Sequence, residues 1–432
     1  MVHPPRLILL LLFVSYSFLF AQESTTSEPK EQVIRLVGNV QFWGVYTFGQ
    51  QYFDTTAEAY QPMANGLNVQ VRRARIGVKA QPYDRLKVAV ITYFDQMGHD
   101  VNAGNRGGGN PGWGSETRNP NLGIWDAYFT WQVLPGAEWL NFSGGYFRPQ
   151  LGRESITSAF AVGSMDKAPS QTYTRRHLTG RSSGRTTGFD IGGDVFLNEW
   201  LTLNYNLGLF TPGMSGGNNL GSPHRPLWVG RVVLYLGDPE QTHYKMGYGN
   251  NYFSRRNGLS IGVGGSHQGQ TEAFFYSRAF SLDWLLNWGG INFDGEWTLL
   301  HRNGITSPVS SAIVTHQARV GHARLGYNIH LRKGLVLEPQ VMGMMMNGVL
   351  SNQDQTEALA LGLPAGNDRV IDAGLNLYIR EQKLKLTLHY TWQQGNAGEA
   401  EPGFSGNDYY NISGLGPAKR GNWLGLGLSA TY

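Results

Sequence analysis

A dense group of cations lies between residues 148 and 185. Six arginines and one lysine face only two acidic residues, Glu154 and Asp166, in this stretch. The cations are Arg148, Arg153, Lys167, Arg175, Arg176, Arg181 and Arg185. Guanidinium groups present paired donors that match the oxygens of phosphate and carboxylate, and clustered fixed charge raises the local concentration of anions. The segment is therefore a candidate anion-binding element.

Two interpretations of this cationic segment follow from its residues. It is either a solvated surface loop whose arginines bind lipopolysaccharide or a partner subunit, or a loop that folds into a channel and forms an anion-selective constriction. The difference between them depends on the elements that hold the two ends of the segment.

The C-terminal part of the chain alternates in polarity with the period of a strand. In residues 383–393, one face carries Leu384, Leu386, Leu388, Tyr390 and Trp392, whereas the residues between them are polar. Residues 370–380 and 423–432 alternate in the same way. Strands of soluble sandwiches are usually about five or six residues long, whereas tilted strands of about ten residues match the thickness of a bilayer. The pattern predicts a transmembrane β-barrel.

Similar runs recur along the chain and predict about sixteen antiparallel strands, an even number, as closed barrels with both ends on one side require. The predicted strands are 33–46, 67–80, 85–95, 122–133, 137–147, 187–196, 200–210, 226–236, 258–268, 274–286, 289–302, 314–328, 334–346, 368–379, 383–394 and 421–432. The predicted fold class is all-β, with long extracellular loops and short periplasmic turns.

The connections between these strands alternate in length. Short ones carry the Pro, Gly, Asn and Asp residues of tight turns and fall at 81–84, 134–136, 197–199 and 380–382. Long polar ones fall at 96–121, 148–186, 347–367 and 395–420. Residues 237–257 break the rule, since a long connection falls where a short turn is due. They form either a long turn or an additional pair of strands.

Strand parity identifies the residues that face the barrel interior. Arg73, Arg75 and Lys79 alternate with apolar residues and are predicted to point inward, whereas Trp125 is predicted to face lipid. Other residues predicted to face the lumen are Asp126, Tyr128, His322, Arg324 and Asp372. Ion pairs fill the interior of small barrels, but about sixteen strands leave room for water. The inward cations add to the field of the cationic segment and favour the constriction.

The first residues are typical of a secretory signal peptide. Arg6 precedes an apolar run of fourteen residues, 7–20, and Ala21 is followed by polar residues. The alternative, a membrane-spanning helix, needs about 20 apolar residues. We predict a signal peptide at 1–21, a polar segment at 22–32, and an outer-membrane barrel at 33–432 whose loop 148–186 folds inward.

Several kinds of chemistry are disfavoured. The chain has no Cys, which excludes disulfides and thiolate sites, and its net charge of +4 is too small to indicate nucleic acid. Residues 213–217 match a serine-nucleophile pattern, but that pattern needs a following helix, which the Gly- and Asn-rich stretch does not predict. His316 and His322 have no carboxylate at ligand spacing beside them. We predict no enzyme activity, no cofactor and no metal site.

Three segments are similar to segments of a porin family. Residues 145–158 contain Gly145, Phe147, Pro149 and Glu154 and resemble the G-x-F-x-x-P-x-G-x-E segment of the phosphate-selective porin O/P family. Residues 184–192 are similar to the strand that follows it there, and residues 72–77 to the family's R-R-A-R strand. The resemblance implies a sixteen-stranded, usually trimeric channel in the outer membrane of a Gram-negative bacterium. The start of the chain resembles signal sequences of Bacteroidota.

Two functions are compatible with this sequence. The favoured one is a passive diffusion channel for small hydrophilic solutes that prefers anions, with phosphate as one candidate, and that works as a homotrimer in contact with lipid and lipopolysaccharide. The alternative is a structural or assembly subunit of a secretion, gliding or nutrient-uptake complex. Single-channel conductance separates the two, because the alternative predicts little or no open current.

Overall fold

Sixteen long strands run through the part of the chain that the computed structural model describes, namely residues 33–98, 121–211, 225–271, 273–306, 313–398, 407, 410–412 and 416–432. In chain order they are β1 (Val33–Phe48), β2 (Gly66–Tyr83), β3 (Leu86–Asp95), β4 (Asn121–Gln132), β5 (Asn141–Phe147), β6 (Thr186–Asn198), β7 (Leu201–Thr211), β8 (Leu227–Gly237), β9 (Gly258–Gln268), β10 (Tyr276–Trp288), β11 (Ile291–Thr306), β12 (Ile313–Tyr327), β13 (Val336–Asn347), β14 (Asn367–Tyr378), β15 (Leu384–Asn396) and β16 (Asn422–Thr431). The predicted signal peptide 1–21 and polar segment 22–32 lie outside the described residues.

Each long strand pairs antiparallel with its neighbour in the chain, and the ring closes between β1 and β16. Asn39 of β1 lies opposite Thr431 of β16, and β1 also pairs with β2. Closure leaves no strand edge, so the backbone hydrogen bonds are satisfied even in a medium without water. Residues 238–257 are described and contain no strand, so they form a long turn. The predicted closed barrel of sixteen antiparallel strands is confirmed.

The remaining elements lie in the connections. The helices are α1 (Arg153–Ile156), α2 (Ser170–Thr179) and α3 (Asn352–Ala360), and a 3₁₀ turn spans Arg332–Gly334. Short strands at Gln51–Asp54, Ala59–Pro62, Asn411–Ile412 and Gly416–Lys419 form a small separate sheet, and Ile329–His330 adds a short pairing to β13. The small sheet and α3 belong to the side of the barrel that carries the long loops.

The outer face of the barrel is apolar. On β16, Leu424, Leu426 and Leu428 expose 45%, 59% and 36% of their surface. Trp423 of the same strand has its side chain on the inner face and exposes 2%. Leu386 and Leu388 of β15 are exposed in the same way. Exposed leucine on every second residue forms the apolar band of a membrane barrel.

Among the described residues, no helix is long and apolar enough to cross a membrane.

Replacing Leu426 by Arg should lower the free energy of unfolding by about 2–4 kcal/mol, because the new charge lies against lipid near the middle of the apolar band. The measurement is urea unfolding in lipid vesicles, followed by Trp fluorescence. Leu426→Ala is the control, since it removes packing without adding charge. Equal stability of the two variants would show that this face does not contact lipid.

Residues 148–185, which we call the inner loop, lie inside the barrel. The loop leaves β5, forms α1 and α2, and returns to β6. Its far end reaches the opposite wall, where Lys385 Nζ donates to the carbonyl of Val162 at 2.8 Å and Asn376 Nδ2 donates to that of Gly163 at 2.7 Å. Gly180 ends α2 in a left-handed conformation, with φ of 70°, and so turns the chain back towards β6.

Residues 238–257, which we call the strap, enter the barrel from the side of the short turns. Tyr244 and Tyr248 are buried, and their hydroxyls lie 2.5 Å and 2.9 Å from the side-chain oxygens of Asn206 and Asn204 on β7. On the opposite side, Asn251 donates to Asn328 at 2.7 Å. The strap therefore crosses the short-turn end of the lumen and covers a large part of it.

Candidate functional site

Two β-bulges turn additional side chains into the lumen. On β2 the pairing with β1 shifts between Gln41 and Phe42, so that Arg72 and Arg73 are both buried inside the barrel. On β4 the pairing with β3 shifts beside Trp125, so that this residue joins Asp126 on the inner side. A bulge inserts one residue and breaks the two-residue alternation. The prediction that Trp125 faces lipid is wrong for this reason.

Trp125 holds two guanidinium groups. The central carbons of Arg75 and Arg185 each lie 3.6 Å from its ring centroid, a distance typical of a stacked cation–π contact. Arg75 also pairs with Asp95 at 3.0 Å, and Arg185 pairs with Asp126 at 2.8 Å. Stacking and pairing fix both cations in place, and Arg185 brings the end of the inner loop against β4.

A second pair of wall cations holds the middle of the inner loop. Arg72 and Arg73 of β2 contact the two carboxylate oxygens of Asp166 at 2.7 Å and 2.5 Å. One carboxylate thus pairs with two buried guanidinium groups, so this contact neutralises only one of the two positive charges. This contact joins residues more than ninety positions apart in the chain.

Three cations of the inner loop are held by carbonyl groups rather than by carboxylates. Lys167 Nζ donates to the carbonyls of Glu154 and Thr157, the latter at 2.8 Å. Arg175 and Arg148 both donate to the carbonyl of Ser155, at 2.5 Å and 2.8 Å. None of the three forms an ion pair with a carboxylate of the described residues. No direct ion pair therefore neutralises their charges within the described part of the chain.

Six of these seven cations, together with Asp95, line one narrow cavity. Its wall includes Arg72, Arg73, Arg75, Arg148, Lys167 and Arg175, and its volume is about 40 Å³. In the part of the chain that the structure describes, the buried Nε atoms of Arg75 and Arg148 have no hydrogen-bond partner. A space of this size holds a few water molecules or one small charged group. The cavity can accept an anion that has shed most of its hydration shell.

The electrostatics of the loop cations agree with such a role. Burial, followed by the charge of Arg185, lowers the pKa of Arg175 to about 9. Burial also lowers the pKa of Lys167 and of Arg148 well below the usual range, with the charge of Arg175 as the next cause in both. A bound anion would oppose these effects, because it stabilises the charged form of each group.

An outer cavity of about 370 Å³ adjoins the narrow one, near the long-loop ends of β3, β4 and β5. Arg176 and Arg181, both predicted site residues, line this outer cavity rather than the narrow one. The two cavities share Tyr93, Trp125 and Ser182 among their wall residues.

Two predicted site residues lie elsewhere. Arg153 is fully buried and donates to Glu240 of the strap at 3.0 Å, so its charge is compensated and it joins the inner loop to the strap. Lys79 faces the lumen but is exposed, and it lies four residues along β2 from Arg75, about 13 Å away. Arg35, opposite Lys79 on β1, and Lys87 on β3 are also exposed on this inner face. These cations lie near the short-turn end of the lumen.

The other residues predicted to face the lumen anchor the inner loop to the wall. Arg324 donates to Asp294 at 2.9 Å and to Glu154 at 3.0 Å. His322 lies 3.4 Å from Asp294. The carboxylates of Glu154 and Asp294 and the ring of His322 come close enough together to hold a cation, but Arg324 already supplies the positive charge there.

On the remaining parts of the wall, Asp372 bonds to His389 at 2.7 Å and accepts from the backbone of Met165 in the inner loop at 3.3 Å. Tyr128 packs against Phe147, with ring centroids 5.8 Å apart. Neither residue lines the narrow cavity. The serine-nucleophile pattern at 213–217 lies outside the described residues.

Solved structures of outer-membrane porins share this fold. The outer membrane channel DcaP of Acinetobacter baumannii aligns with a TM-score of 0.51 at 13% identity, covering 95% of this chain and 99% of that one. An anion-selective porin from Comamonas acidovorans aligns with a TM-score of 0.52 at 11% identity, covering 93% and 100%. OmpF of Salmonella typhi aligns with a TM-score of 0.52 at 10% identity, covering 92% and 97%. No family model and no curated protein matches the sequence.

At these identities the likeness defines the fold, which is that of an outer-membrane porin. The closed barrel and its apolar outer face place the chain in the outer membrane of a Gram-negative bacterium, as the sequence predicts. The resemblance to the phosphate-selective porin O/P family is not confirmed by these comparisons, and phosphate stays a prediction.

Proposed function

We propose that the protein is a porin, a passive channel for small hydrophilic solutes that prefers anions, and not an enzyme. The observation that carries this proposal is the narrow cavity, where Arg148, Lys167 and Arg175 lie beside the wall cations and have no carboxylate partner among the described residues. Fixed positive charge in a partly desolvated passage lowers the barrier for anions and raises it for cations.

The positions of the other lumen cations support the same conclusion. Cations continue along the β1–β3 wall from the narrow cavity to Arg35, Lys79 and Lys87 at the short-turn end. Among the described residues, the strap makes no hydrogen bond to this sector; it bonds to the β4–β5 turn, β6, β7, β10 and the turns from β12 to β15. An anion that passes the narrow cavity therefore meets positive charge along its exit.

Replacing both Arg148 and Arg175 by Gln should bring the reversal potential across a KCl gradient towards zero. The native channel should favour chloride most strongly in dilute salt, because the screening length falls from about 30 Å at 0.01 M to about 3 Å at 1 M. Arg75→Gln, which changes the wall and leaves the inner loop intact, is a second variant with the same expected direction. Arg255→Gln, on the exposed face of the strap, is the control. Equal potentials for all four proteins would overturn the proposal.

A second function is supported by the way the inner loop and the strap meet. Arg153 and Glu240 join them inside the lumen, and both are buried. A barrel filled from both ends also suits a structural or assembly subunit. Such a subunit would show no open current in a planar bilayer, whereas a porin shows discrete conductance steps.

The oligomer we propose is a homotrimer, as the family resemblance implies. Its partners in the membrane are lipid and lipopolysaccharide. The mass of the protein extracted in mild detergent tests this state, and a mass of one chain alone would contradict it.

A further inference from the structure

The outer cavity differs in chemistry from the narrow one. Its wall carries the aromatic residues Tyr93, Trp125 and Tyr146 together with Ile124. Tyr93 meets the Trp125 ring edge-on, with centroids 5.4 Å apart. Arg176, Arg181 and the hydroxyls of Ser182 and Ser183 complete the wall. Its wall therefore combines aromatic and apolar side chains with cations and hydroxyl groups, and an inorganic anion would gain nothing from the aromatic rings.

Size separates the two cavities as clearly as chemistry. The narrow cavity, at about 40 Å³, has room for a charged group and very little else. The outer cavity, at about 370 Å³, has the volume of a small-molecule pocket. Because they share Tyr93, Trp125, Ser182 and Ser183, the two cavities are direct neighbours.

The narrow cavity is also lined by groups that suit a carboxylate. The guanidinium groups of Arg75, Arg148 and Arg175 belong to its wall, and Arg75 stacks on Trp125, which lines both cavities. A planar carboxylate bonded to guanidinium groups would direct its substituent past this ring. Aromatic substituents gain from the edge and face contacts that Tyr and Trp offer.

Building on the proposed function, we propose that the preferred solutes are aromatic carboxylates. The carboxylate lies in the narrow cavity among Arg75, Arg148 and Arg175, and the ring lies in the outer cavity against Tyr93 and Tyr146. Inorganic phosphate would use the narrow cavity alone. The same two cavities thus define both the charge and the shape of the solute.

The test is block of the chloride current in a planar bilayer. Benzoate, acetate and phosphate are added in turn to both sides, and the concentration that halves the current is measured. Benzoate should act at a concentration about two- to tenfold lower than acetate, the gain that one aromatic contact provides. Tyr146→Ala should remove that difference and leave the reversal potential unchanged, because Tyr146 lines the outer cavity and not the narrow one. Tyr93→Ala should also remove the difference. Tyr276→Ala is the control, because this residue stacks on His301, outside both cavities.

The possible failures are distinguishable. If the native channel does not discriminate chloride from potassium, the proposed anion channel is wrong. If it does, but benzoate acts no better than acetate, or phosphate acts better than benzoate, only the aromatic preference is overturned. A benzoate advantage that persists in both tyrosine variants also overturns it.

Discussion

Replacing Arg324 by Met should lower the free energy of unfolding by about 3–5 kcal/mol, the usual cost of breaking a buried ion pair. The guanidinium group donates to Asp294, Glu154 and Ser164, at distances of 2.9, 3.0 and 3.0 Å. The side chains of both carboxylates are at most 2% exposed, so two buried charges would lose the guanidinium group that pairs with them. Because Glu154 belongs to the inner loop, the anchor of that loop would be lost as well.

The measurement is urea unfolding in lipid vesicles, compared with the native chain. Arg255→Met is the matched control, since Arg255 pairs with Glu381 where their side chains are 65% and 50% exposed. Exposed pairs contribute at most about 1 kcal/mol. Adding Asp294→Asn and Glu154→Gln to the Arg324 variant should recover part of the loss. If the Arg324 and Arg255 variants are equally stable, the buried cluster does not hold the loop.

Replacing Glu240 by Ala should release the strap from the inner loop. Arg153 has no exposed surface. Among the described residues it would keep one carboxylate partner, Asp283, 3.5 Å away and shared with Arg231, and a 3.5 Å contact with the carbonyl of Gly249. A loss of about 3–5 kcal/mol in the free energy of local opening corresponds to hydrogen exchange faster by at least about a hundredfold. The change should appear in peptides from residues 238–257 and be absent from peptides of the strands.

The pH dependence of this contact has a defined sign. Burial opposes ionisation of Glu240, but Arg153 outweighs it and lowers the pKa of Glu240 from 4.5 to about 2. A carboxyl group whose pKa falls on folding stabilises the fold fully above its ordinary pKa and loses that contribution as pH falls towards the folded value. After correction for the intrinsic rate, protection of the strap should therefore hold from neutral pH to about pH 4.5 and decline below it. Glu381→Ala, at the exposed surface, is the control, and equal exchange in both variants would contradict the prediction.

The barrel was predictable because lipid and lumen impose opposite demands on neighbouring residues. Alternation located each of the sixteen strands to within a few residues, and the even count followed from closure. For residues 237–257 the sequence predicts either a long turn or an additional pair of strands, since their length fits both. The strap is stabilised by contacts with distant residues such as Asn206 and Asn328, and no local pattern encodes those partners.

The candidate site was predictable in composition but not in geometry. Net charge located Arg148, Arg175 and Arg185, and parity located Arg75. Parity failed where a bulge occurs, so Arg72 was missed and Trp125 was assigned to the wrong face. The only signal in the sequence for Arg72 is its place beside Arg73 in the Arg-Arg-Ala-Arg run. Which cations are compensated depends on partners nearly a hundred residues away, as for Arg73 and Asp166.

The hydrogen bonds from Lys167 and Arg175 to the carbonyls of residues 154–157 have a consequence for protein engineering. The same side chains supply the charge of the passage and fix the path of the backbone around it. A substitution there alters conductance and selectivity together, and exchange of Lys for Arg is not conservative, because the two cations reach carbonyls with different geometry. Arg75 is the better position for changing the selectivity, since it belongs to strand β2, whose conformation the barrel maintains.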